Sequence, residues 1–380
     1  MVPLKVKFLM LCVFLAHSLV AFASSDKSVN LTATYGVDDN PFNLSEPLKG
    51  VEQNFLFSEV RARANYNKLF YFSARADKTV YEDDPRADEF NGYAAIRLSS
   101  RFKISKQKFR YKIGGNYRIK DKTFVSKVTG LVGTYRNQSI ADRYDSVQTN
   151  LNAEISYIVT KNLRFDLSYE NRNKDYEDVL VEGASNFDYL HDRYLLEMEY
   201  KPSKVGRFFI NGSFKQREYV DKRGKDLFGD DILGTDLVYD YSTLNLGYVY
   251  RPSNRVRWRY TYNYEERRDN NSGYYNATGG HLAISARHQF GDYQFLTAKA
   301  KYSKFSLINQ IEQSEEELEE QANDRKGLRL TLGYEWVFAA LFDTNIALYT
   351  ELEYHNFESF DPTYTYESRK LSLGVRWSAF

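Results

Sequence analysis

From position 256 the chain reads Val-Arg-Trp-Arg-Tyr-Thr-Tyr-Asn-Tyr, apolar or aromatic at every second place and polar or charged between. Successive side chains of a β-strand point to opposite faces, so this strand meets a different solvent on each side. The rhythm recurs in Phe109, Tyr111 and Ile113, and in Leu163, Phe165, Leu167 and Tyr169. It recurs again in Leu328, Leu330, Leu332, Tyr334 and Trp336, and in Leu371, Leu373, Val375 and Trp377. A one-residue slip would exchange the two faces, so the alternation also says which residues point outward. An Arg or Lys at mid-membrane costs about 2–4 kcal/mol, and these apolar sets contain neither.

Strand candidates are joined alternately by tight turns and long polar connections. The turns fall at Asn67-Lys68, Ser105-Lys106-Gln107, Lys161-Asn162, Pro202-Ser203-Lys204, Pro252-Ser253-Asn254, Gly291-Asp292 and Leu341-Phe342-Asp343. The long connections are 38–50, 82–88, 121–143, 171–187, 218–235, 266–277, 308–325 and 356–362. Fifteen connections require sixteen strands, and an even number puts both chain ends on the side of the turns. The expected fold is therefore all-β: a transmembrane antiparallel up-and-down β-barrel of about 16 strands, closed so that lipid meets no unpaired edge. The segment 122–133 is assigned to a long outer or inward-folding loop, although as a further strand it would raise the count to seventeen or eighteen. Phe380 stands one residue out of phase with Trp377, which a terminal bulge would absorb. A soluble sandwich also alternates, but consecutive hairpins without a strand buried on both faces argue against it.

Lys5 and Lys7, an apolar run over 8–20 and Ala21-Phe22-Ala23 have the form of a secretory signal. The expected division is a signal peptide over 1–23 and an outer-membrane barrel over 24–380. Cys12, the one cysteine, falls in the signal, so the exported chain has no thiol for a disulfide or a metal. A mean hydropathy of −0.59 would suit a soluble chain, but 32 Tyr and 26 Phe suit the aromatic girdles of a barrel. A formal net charge of +1 exerts no bulk pull on nucleic acid, and none is expected as a partner. The expected surroundings are outer-membrane lipid, lipopolysaccharide and the barrel assembly machinery.

The inward set carries the candidate chemistry. On the second to fifth strands it holds Arg61, Arg63, Arg75, Arg97, Arg101, Lys103, Arg110, Lys112 and Arg118 against Asp77. Later strands mix Arg164 with Asp166, Glu197 with Glu199, Arg257 with Arg259, Lys299 with Lys301 and Glu351 with Glu353. Charged rings set ionic preference in pores, so a lumen lined by these side chains predicts anion preference or contact with an acidic polymer. Simple solvation and cross-strand pairing would use the same residues. Inward rings are expected to be few, Tyr71 and Tyr349 among them.

The loops are acidic at Glu82-Asp83-Asp84, Asp230-Asp231 and 312–320, without the spacing of a calcium loop, and read as solvated and self-repelling. His281 and His288 share a strand but point to opposite faces, and neither they nor His191 and His355 stand in a nucleophile–base arrangement. No catalytic residue, cofactor or metal is expected, and the chain is read as not an enzyme.

Two short pieces carry a resemblance: Tyr35-Gly36-Val37-Asp38-Asp39-Asn40-Pro41-Phe42 and Ser139-Ile140-Ala141-Asp142-Arg143-Tyr144-Asp145. They resemble outer-membrane β-barrel porins of Gram-negative bacteria, often encoded beside exopolysaccharide machinery. The resemblance implies a barrel that forms, or assists, a passage for secreted exopolysaccharide, working with a periplasmic polysaccharide export protein. The residues alone leave open a general or anion-selective diffusion porin and a non-conducting surface-binding barrel. Asp38, Asp39 and Asn40 also suit a tight turn, since Asp and Asn bond their own backbone.

Overall fold

Every long alternating stretch becomes a strand that pairs antiparallel with its neighbours in sequence, and the first closes on the last. The computed structural model describes residues 26–50, 52–66, 69–177, 187–308, 323–341 and 344–379. The wall is β1 (Asp26–Asp38), β2 (Gln53–Tyr66), β3 (Phe70–Tyr81), β4 (Glu89–Ile104), β5 (Gln107–Lys122), β6 (Ser146–Ile158), β7 (Leu163–Tyr176) and β8 (Tyr189–Tyr200). It continues through β9 (Gly206–Tyr219), β10 (Val238–Tyr250), β11 (Val256–Asp269), β12 (Ala277–Phe290), β13 (Gln294–Leu307), β14 (Asn323–Leu341), β15 (Thr344–Ser359) and β16 (Tyr366–Ala379). These sixteen strands form one closed barrel. The expected signal segment, the turn residues Asn67, Lys68, Phe342 and Asp343, the acidic run 312–320 and Phe380 lie outside the described residues.

Closure sets Leu31 opposite Trp377 and Val29 opposite Ala379, so β1 and β16 complete each other's hydrogen bonds. No bulge appears in β16, which keeps register through Ala379; the irregularity lies instead in β14, between Val337 and Ala339.

Outward side chains form an apolar belt, and rings gather toward the tight turns. Phe102 stacks on Phe109 at 5.4 Å, Phe109 on Tyr157 at 5.2 Å and Phe208 on Tyr248 at 4.3 Å. Such girdles suit the interface between lipid and water. Outward Asp175, Asp192, Glu218, Asp240, Glu266 and Arg268 stand at the other ends of their strands, making a polar collar beneath the loops. An apolar exterior around a charged interior makes this a multi-pass outer-membrane β-barrel.

The segment after β5 is a loop, not a strand. It folds through an isolated bridge between Val125 and Val132, then a ribbon of Thr134–Tyr135 and Gln138–Ser139. Lys127 reaches the first loop, donating to the carbonyls of Phe42 and Asn43 and lying 5.5 Å from the Tyr366 ring. A side chain at Gly130, where φ is +67, would meet Leu44 and Leu48, so the loop leans across one side of the outer mouth.

Candidate functional site

Alternation aims every second side chain of the wall into the lumen. Arg61, Arg63, Arg75 and Arg118 share a cavity of about 450 Å³ with Asp77 and Asn91. A cavity of about 720 Å³ is lined by Glu59, Arg61, Arg287, Lys299, Glu351 and Arg376 among others. Beside the tight turns, Lys204, Arg251, Arg255, Arg257 and Arg287 surround a third of about 530 Å³. Arg97 lies 4.7 Å over the Tyr71 ring and Arg259 lies 5.4 Å over Phe209. Arg110 and Lys112 meet Glu154 at 3.4 and 2.6 Å. Arg101 faces Arg110 across the sheet, and Lys301 faces Arg329.

The register shows something the one-dimensional pattern did not. Like charges stand directly opposite one another at Arg61 and Arg75, Arg101 and Arg110, Lys103 and Lys108, Arg193 and Lys215, Arg257 and Arg287, and Lys301 and Arg329. Such pairs destabilise a sheet unless something intervenes. Glu59 intervenes for the first, 3.1 Å from Arg61 and 2.7 Å from Arg75, and Glu353 holds Arg329 at 2.6 Å. Glu59 was missing from the inward set read from sequence, although it is in phase with Arg61. By contrast Arg257, Arg287, Lys103, Lys108 and Arg193 have no carboxylate partner among the described residues.

Near the loops the expectation of few inward rings is corrected. Tyr189 and Tyr219 meet at 5.8 Å, Tyr219 and Tyr239 at 5.4 Å, and Tyr239 and Tyr275 at 5.5 Å, with Leu237 and Tyr241 buried beside them. Alternation sends rings such as Phe165 and Tyr334 to the lipid side; at the strand tops, returning loops bury inward rings as well. Lys222, on such a loop, lies 4.1 Å from the Phe187 ring, and burial pushes its ammonium down to about 8.

The motif residues of the first loop shape a turn. Asn40 donates its amide to Asp38 Oδ1 at 3.1 Å, and its side chain closes on Leu44 and reaches the Glu367 carbonyl at 2.9 Å. In the second piece, Asp145 accepts the Lys122 amide at 2.7 Å and so anchors the top of β5. Acidic loop residues are taken by neighbours: Asp84 by Arg86 at 2.5 Å and Asp231 by Lys225 at 3.2 Å. Among the described residues no three His, Asp or Glu side chains are grouped to hold a metal ion.

No family model matches the chain, and no curated protein matches it in sequence. Its likenesses are to solved outer-membrane structures. The loop L8 deletion mutant of OmpT, an outer membrane protein of Vibrio cholerae, is 14% identical over 93% of this chain and 98% of that one, with a TM-score of 0.43. A bacterial polysaccharide outer membrane secretin is 10% identical over 93% and 97%, at 0.45. OccAB1 of Acinetobacter baumannii is 8% identical over 93% and 96%, at 0.46. These likenesses concern the barrel fold alone.

The exclusion of catalysis read from the sequence does not stand. It rested on histidines scattered along the chain, whereas the wall gathers distant residues: His355 Nδ1 lies 3.2 Å from the Tyr366 hydroxyl, and His191 sits in register between Arg172 and Arg217. One barrel fold hosts unrelated activities, so the fold does not restore the exclusion.

Proposed function

We propose that this barrel is a water-filled passage for anionic solutes across the outer membrane. The carrying observation is the set of inward cations opposed to one another without carboxylates, Arg257 against Arg287 and Lys103 against Lys108. Adjacent strands lie about 4.8 Å apart, so these charges repel unless water and mobile anions screen them. A wall of this size is wide enough for an aqueous channel. Purified barrel in a planar bilayer under a salt gradient should give an anion-selective reversal potential. Replacing Arg257 and Arg287 by Glu should move it toward cations; cation selectivity in the unaltered protein would overturn the reading.

A secreted acidic exopolysaccharide is the extended version of the same cargo, and one observation favours it. Inward cations stand at both ends of the lumen, Arg257 and Arg287 near the turns and Arg172 and Arg217 near the loops, two holding points suited to a polymer with repeated charges. Loss of polymer from the medium on deletion of the gene, restored by the intact chain, would support this cargo. Unchanged secretion beside an open anion-selective pore would favour general diffusion, and a barrel that conducts nothing would favour a surface-binding role.

A further inference from the structure

We propose that the inner wall beneath the loops holds an oxyanion-binding site centred on Arg172, His191 and Arg217. The site extends the anion-passage reading by naming one place where an oxyanion is held. The three stand in one cross-strand row, Arg172 paired with His191 and His191 with Arg217, and Asn150 extends the row onto β6. Their side chains share a face because residues in register share a face.

His191 is only 4% exposed, and neither of its ring nitrogens has a hydrogen-bond partner among the described residues. The buried Nε atoms of Arg172 and Arg217 are likewise without one. Asn150 Oδ1 in the same row is unmatched as well, but the other three side chains are N–H donors. Buried polar atoms in folded proteins are paired almost without exception, so three unmatched donors in one row point to a missing acceptor. Either tautomer of a neutral imidazole presents one N–H, and each guanidinium presents its Nε–H.

Charge points the same way. In the adjacent row Arg193 opposes Lys215, adding two cations to those of Arg172 and Arg217. Among the described residues two carboxylates answer them: Glu170 takes Arg172 at 2.5 Å, and Glu265 stands 4.0 Å from Lys215. Arg217 is fixed in orientation, 4.5 Å from the Tyr189 ring and 5.4 Å from Tyr241, with its Nη1 donating to the Tyr219 hydroxyl at 3.2 Å. A planar guanidinium clamped by rings, beside an imidazole and an ammonium, matches the oxygens of phosphate, sulfate or carboxylate. One oxyanion would satisfy the unmatched donors and relieve the opposed cations together.

The test uses purified barrel in detergent at fixed ionic strength, replacing chloride stepwise with inorganic phosphate and following thermal unfolding. A saturable rise in melting temperature is expected, because a ligand that binds only the folded state stabilises it by mass action. A parallel series replaces chloride with galacturonate, with galactose as the uncharged control. Saturation by phosphate alone assigns the site to free inorganic anions; saturation by galacturonate but not galactose assigns it to sugar carboxylates. Arg217→Lys keeps the charge but loses the fork and should weaken the response about tenfold. Should it fail to fold, His191→Gln and the titrations of the unaltered protein decide. No saturable response to either anion, or full affinity in folded variants, overturns the site. An anion-selective pore without this response would sink the site alone, whereas a cation-selective pore with it would sink the passage and leave the site.

Discussion

The two faces of β11 put one backbone between opposite solvents. Outward Trp258, Tyr260, Tyr262 and Tyr264 are all exposed, a ladder of rings that in water would invite aggregation. Inward, Asn263 donates to Asn245 at 2.5 Å and Asn245 donates to Asn211 at 2.8 Å, a polar ladder where a soluble protein would keep its core. The difference teaches that an exposed surface is not a watery one here. Lipid is the apolar phase, and it lies outside.

The largest effect should come from moving one charge across that divide. Tyr262→Arg places a guanidinium in the lipid belt and should cost about 2–4 kcal/mol. Thr261→Arg, one residue away but flanked in register by Gly247 and Ala283, should be close to neutral. Urea unfolding of both variants in lipid vesicles measures the gap; equal losses would mean the faces are misassigned. A smaller effect is expected from Glu59→Gln, which leaves Arg61 and Arg75 opposed without their shared carboxylate. A loss of about 1–3 kcal/mol should follow and should shrink when Arg75 is also replaced by Ala. Ser58→Ala, on the outward face next to it, should change nothing measurable in the same unfolding series.

Turns, strand count and the order of the loops were legible because period-two alternation and turn residues are local, although the strands run on past the expected loop starts, to Tyr176, Asp269 and Ser359. The same locality hid what depends on pairing. That Arg257 faces Arg287, or that Arg172, His191 and Arg217 form a row, follows from register, which joins residues tens of positions apart. Glu59 could have been found by counting in twos from Arg61. Tyr189, Tyr239 and Tyr241 could not, because an aromatic residue in an alternating strand suits lipid as well as a loop-covered lumen. Asp38 and Asn40 were legible as turn formers, and their bonds to Tyr81 at 3.1 Å and to Glu367 show why the turn is held so firmly.

The smallest effect expected is at the rim, where the contrast between inside and outside is weakest. Lys127 leaves water to dock against the first loop, and burial, with the nearby charge of Lys122, pushes its ammonium from 10.5 down to about 8. Between those values the docked loop binds fewer protons than the undocked chain, so docking strengthens as pH rises through that window. Below about 8 both forms are protonated and the cost of burying the charge is fully present. Hydrogen exchange at the amides of Gly130 and Gly133, which donate to the Ser126 and Phe124 carbonyls, reports docking directly. After correction for intrinsic exchange, protection should rise from pH 8 to 10 and lose that dependence in Lys127→Met. Protection that falls instead would mean the carbonyls of Phe42 and Asn43 hold the charged ammonium more strongly than burial penalises it. The rim would then follow the charge rules of the lumen rather than those of a dry contact.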